Sequence, residues 1–131
     1  MIGVDTNVLI RLFITEEPQS AKSAEFFAAR SPDDPAYVPL MVVAESAWVL
    51  RRKYKQGTEQ ISRVIQSILD SDDFVVERRD LVEWAHANYV HARIDFSDLL
   101  IARASELAGA VHVATFDRDA AKHIPGMELL A

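Results

Sequence analysis

Five short apolar runs, each too brief for a helix, alternate along the chain with stretches of helical spacing. The runs are IGVD, Ala36–Val38, Phe74–Glu77, Val111–Phe116 and a last one within MELL. Between them the pattern predicts helices over Thr6–Ile14, from Glu17-Pro18-Gln19 through Ala28, and over Leu40–Tyr54. Thr58 reads as the cap of a further helix through Leu69, and two more are expected over Asp80–His91 and Asp95–Ala108, the second stopped by Gly109. RSPDDP is turn chemistry. Helical connections of this length cannot close hairpins, so the strands are expected to run parallel, with helices covering both faces of a short, mainly parallel central sheet. The class is α/β, in three layers. Open sheets of this kind place their sites beyond the carboxyl ends of the strands. Asp5 stands at such an end, and so do Thr115 and Asp117.

A chain of 131 residues, half of them hydrophobic and 26% charged, has the makings of one domain spanning residues 1–131 with its own core. Cysteine is absent, which removes disulfides and thiolate metal sites and suits a reducing compartment. Asp5 and Arg11 interrupt the first apolar stretch, so a signal-peptide layout is not expected. No run reaches the roughly 20 apolar residues that cross a bilayer. A soluble, cytoplasmic protein without a membrane partner is the expectation. The net charge of −6 argues against non-specific duplex binding through a basic face. It remains compatible with a nucleic-acid substrate if several acids are gathered around a metal.

Four acids are placed for that. Asp5 follows the first strand, where it can cap the next helix or serve a site. Glu45 lies in PLMVVAESAWVL, a segment otherwise free of charge, where a carboxylate needs a partner such as Arg51 or Arg52, solvent, or a cation. Asp98 sits in IDFSDLLIARASEL, three residues after Asp95, the spacing of a capping box; the helix N-terminus favours its ionised form. Asp117 in TFDRD is a turn or cap candidate, and Asp119 could take either of its roles. Were the four to meet within about 5 Å, each ionised pair would repel by about 3 kcal/mol at an effective dielectric near 20. Either some carboxyls stay protonated or a divalent cation joins them. Donors that are all oxygen select hard ions, Mg²⁺ or Mn²⁺.

DTNVLIRL, the lone Glu45 in a mid-chain helix, DFSDLLIARA and TFDRD, in that order, resemble the PIN-domain ribonucleases, and within them the VapC-type toxins of toxin–antitoxin modules. The resemblance implies a PIN-like (Rossmann-like) fold and a metal-dependent endoribonuclease with one or two Mg²⁺ or Mn²⁺ ions per site. It implies Asp5, Glu45, Asp98 and Asp117 as catalytic and metal-binding acids, with Asn7, Thr115, Asp95 and Asp119 in support. Cleavage would leave 5′-phosphate and 3′-hydroxyl ends. The partners it implies are an RNA substrate, a VapB-type antitoxin packed over the acids, and a second copy in a homodimer. The alternative is a PIN-like module that has kept the fold for protein interaction and lost the chemistry.

Substrate grip would fall to local cations. Arg11, Arg93 and Arg118 flank the acid motifs. The RRKYK run (Arg51, Arg52, Lys53, Lys55) follows Glu45, with Arg52 on the same helix face about 10 Å further along. A solvated helix end explains that run equally well. Trp48 and Trp84 are expected in the core or an interface, and the four histidines are read as structural or solvent-facing. A phosphatase of the haloacid-dehalogenase type would need a second aspartate where Asn7 stands.

Overall fold

The computed structural model describes residues 1–130. Its elements run β1 (Ile2–Gly3), α1 (Thr6–Phe13), α2 (Ser20–Ala28), β2 (Ala36–Val38), α3 (Leu40–Arg52), α4 (Thr58–Asp70), β3 (Phe74–Val76), α5 (Arg79–Ala87), α6 (Phe96–Leu107), β4 (Val113–Thr115), α7 (Arg118–His123) and β5 (Met127–Leu129). All strand pairings are parallel, as the long helical connections require. The strands fall into two pieces: β1–β2–β3, with β2 in the middle, and a separate pair β4–β5. Alternation dictates the sense of pairing but leaves open which edges meet. Here β1 contributes only two residues, both exposed, and pairs with β2 alone. β4 is held to β5, with Val113 N–H donating to Gly126 O and Leu130 N–H to Thr115 O, both at 2.7 Å.

The core forms where helices cover β2. Ala36 and Val38 are fully buried, and around them lie Leu9, Val43, Leu50, Ile61, Leu81, Phe96 and Leu99. Burying a Leu or Ile side chain contributes about 1.5–3 kcal/mol, so these positions hold the helices in place. α3 packs against both α1 and α6. Its start is fixed by Pro39 at the cap and by Glu77, whose Oε1 accepts from Leu40 N–H at 2.7 Å and so ties the end of β3 to α3.

Several helix ends differ from the sequence pattern for identifiable reasons. α5 stops at Ala87 rather than His91, because the Asn88 side chain donates back to Trp84 O at 2.8 Å and closes the last turn. α2 begins at Ser20, not at Glu17, whose side chain accepts from Tyr54 Oη at 2.7 Å. Gly57 rather than Thr58 occupies the cap of α4, its N–H donating to Gln60 Oε1. The Thr58 hydroxyl reaches instead to His91 O. Gly109 takes φ +95°, the left-handed conformation that ends α6. Among the described residues no helix is long and apolar enough to cross a membrane.

Candidate functional site

Pairing along β1 continues through Val4, whose N–H donates to Tyr37 O at 3.0 Å, and delivers the chain to Asp5. Asp5 then opens α1: its carbonyl accepts from Val8 and Leu9, and its carboxylate accepts from Thr6 N–H at 2.7 Å. One oxygen caps the helix while the exposed side chain faces a hollow. This hollow, about 300 Å³, is lined by Asp5, Thr6, Asn7, Ile10, Arg11, Glu45, Val49, Lys53 and Tyr54. Asp5 and Glu45 therefore line one hollow, from α1 and α3, which pack together. Glu45 pairs with neither Arg51 nor Arg52, and among the described residues its carboxylate has no hydrogen-bond or ion-pair partner. A second hollow of about 520 Å³ shares Asp5, Asn7 and Arg11 and runs along β1 toward Lys22 and Phe26.

The other acids gather at the N-terminus of α6. Asp95 occupies the cap position but makes no capping bond. It is held between Arg51 Nε and Arg52 Nη2, each at 2.9 Å, and its side chain is only 12% exposed. The hydrogen bond to Asp95 raises the Arg52 pKa, with the charges of Asp117 and Asp98 adding to it. Asp98, half-buried three residues on, is pushed up to about 6: burial is the main cause, the Asp95 and Asp117 carboxylates add to it, and Arg52 opposes. Two guanidiniums thus serve Asp95, and Asp98 has no ion pair of its own among the described residues.

Asp117 caps α7, accepting from Ala120 N–H at 3.0 Å, and its own N–H donates to Thr115 Oγ1 at 3.0 Å. Its charge is felt at Asp98 and Arg52, whereas Asp119 is felt at His123. The structure thus places Asp5 and Glu45 on one hollow, and brings Asp95 and Asp98 toward Asp117. Among the described residues no three acids or histidines stand close enough to hold a metal together.

Of the cations, Arg11 lines both hollows, with one guanidinium nitrogen on Asn7 O and a buried Nε without a partner among the described residues. Arg93 and Arg118 are exposed. Lys53 and Tyr54 border the Asp5–Glu45 hollow. Tyr54 is the lining residue with no signal in the sequence, since its place depends on how α3 ends beside α1. Trp48 is not a core residue: half of it is exposed. The histidines have local partners. His86 meets Ser62, His112 meets Glu128, and His91 stacks on His123 with ring centres 3.5 Å apart.

The scaffold is short, parallel and α/β, with acids after β1, within α3, at the start of α6 and after β4. Residues 2–125 match the PIN domain family, and the chain belongs to it. It is also similar to the VapC ribonuclease of Aquifex aeolicus (strain VF5), at 28% identity over 116 residues, covering 88% of this chain and 86% of that protein.

Proposed function

We propose that the protein is a divalent-metal-dependent endoribonuclease that acts as the toxin of a toxin–antitoxin pair. The observation that carries this reading is the set of carboxylates on a PIN scaffold: Glu45 and Asp98 without hydrogen-bond or ion-pair partners among the described residues, Asp5 and Asp117 each spending one oxygen on a helix cap. Similarity to a protein named as a VapC ribonuclease supports RNA as the substrate.

The donor set fits a hard cation. It offers oxygens only, and among the described residues Asp98 has no ion pair to meet the cost of its burial. Asp5, Glu45, Asp98 and Asp117 would hold Mg²⁺ or Mn²⁺, as one ion or two. When bound, such an ion lowers the pKa of its water and neutralises charge on the phosphoryl oxygens.

The chain supplies the rest. Arg11 and Lys53, on the rim of the Asp5–Glu45 hollow, attract the phosphodiester backbone. Arg52, Arg93 and Arg118 extend that grip. Asp98 or Asp117 would orient the attacking water or take its proton. Thr115 fixes the turn that aims Asp117, and Asp95 fixes Arg52. Attack by water at phosphorus expels the 3′-oxygen and leaves a 5′-phosphate, so the 2′-hydroxyl is not the nucleophile.

An antitoxin of the VapB type would silence the site by covering these acids, and an arginine from it would supply the missing positive charge. A homodimer in the cytoplasm completes the reading. The test is purified protein with a panel of cellular RNAs, with and without Mg²⁺ or Mn²⁺, beside the Asp5→Asn variant. Cleavage that needs both the ion and Asp5 is expected. Wild-type protein that leaves every RNA intact in both ions would overturn the assignment.

A further inference from the structure

Met41, Glu45, Trp48 and Arg52 recur at helical spacing along α3, and all four are exposed. Trp48 is 50% exposed and Met41 83%, on a face that also carries a candidate catalytic acid. The Arg52 guanidinium sits over the Trp48 indole, its carbon 5.9 Å from the ring centre, while one nitrogen is tied to Asp95. The ring is therefore backed by a cation fixed from a second element. Arg51 and Arg52 both pair with Asp95, and Lys53 lines the neighbouring Asp5–Glu45 hollow.

A flat aromatic ring one helical turn from the acid, with a cation on it and further cations beyond, matches an unstacked nucleotide and its phosphate in both shape and charge. We propose that Trp48 is a base-stacking platform that seats a nucleotide of single-stranded RNA next to the bond to be cut, with Arg52 as the positioning residue that orients it. This rests on the ribonuclease reading and adds to it how the substrate is held. Duplex RNA, whose bases are already stacked, would not use the platform.

The test uses Trp48 as its own reporter. In a protein carrying Asp5→Asn to stop cleavage and Trp84→Phe to remove the other indole, Trp48 fluorescence is followed while single-stranded oligoadenylate is added. Saturable quenching is expected, with little from duplex RNA. Measured by the anisotropy of dye-labelled oligoadenylate, Trp48→Ala should weaken binding about 5- to 150-fold, and Trp48→Phe, which keeps a ring, by no more than about 3-fold. In the cleaving enzyme Trp48→Ala should raise KM and leave kcat nearly unchanged. The proposal is overturned if Trp48→Ala binds as well as wild type while wild type still cleaves RNA. It is also overturned if the substitution dissociates a dimer without changing RNA affinity per protomer, which would make the face a protein interface. Wild type that cleaves no RNA would instead remove the ribonuclease reading beneath it.

Discussion

Replacing Asp98 by asparagine should make the metal-free protein more stable while disabling it. Moving a carboxyl from its ordinary 3.8 to about 6 corresponds, at face value, to about 3 kcal/mol against the charged form. Half of Asp98 remains in contact with solvent, which screens the penalty, and the positive end of α6 returns about 0.5 kcal/mol. About 1 to 1.5 kcal/mol is left at pH 7, which for a domain of this size is a rise in Tm of roughly 4 to 5 °C. The sign with pH follows from linkage. The folded pKa lies above the unfolded one, so the wild type recovers stability as pH falls through about 6 toward 3.8. The advantage of Asp98→Asn should be complete above pH 7 and gone near pH 4. Thermal melts of both proteins in EDTA across that range check it. A variant that melts at or below the wild type at pH 7, or whose advantage persists at pH 4, refutes the reasoning.

Three further outcomes follow from the same geometry. Asp5→Asn should lower RNA cleavage by about 100-fold or more while its melting temperature stays within a few degrees, since the amide oxygen can still accept from Thr6 N–H; single-turnover assays and melts separate the two effects. Asp95→Ala should cost about 1–3 kcal/mol in denaturant unfolding, because Arg51 and Arg52 are left facing each other without their shared carboxylate. His123 is held below its ordinary pKa, first by burial and then by the positive charges of His91 and Lys122, with Asp119 opposing. Its contribution to stability is present above pH 6.5 and lost as pH falls through the depressed value, so His123→Asn should melt with a flatter profile between pH 7 and pH 5 than the wild type.

The class of fold was legible because it depends on period and on connection length. IGVD, Ala36–Val38 and Phe74–Glu77 are too short to be anything but strands between long amphipathic helices, and parallel pairing follows. The division into two sheets was not legible, since no local pattern says which edge β1 or β4 presents. The acids were legible as residue types in places that charge avoids. Their partners were not: Asp95 and Asp98 read as a capping box, yet Asp95 turns to Arg51 and Arg52 because α3 brings two guanidiniums to the start of α6. Glu45 could have paired with those arginines, but Asp95 takes both guanidiniums and Glu45 lines a hollow with Asp5. Trp48 shows the limit of composition, because an indole is apolar wherever it stands and only packing shows it exposed.

Calorimetric titration of Mn²⁺ into the purified protein, with Asp5→Asn and Asp98→Asn beside it, addresses the central claim most directly. Those two residues come from the start of α1 and the start of α6, and one shared cation site would draw on both. Saturable Mn²⁺ uptake by the wild type, lost or weakened at least tenfold in each variant, is the predicted result. Uptake unchanged by either substitution, or no uptake by the wild type, would contradict it.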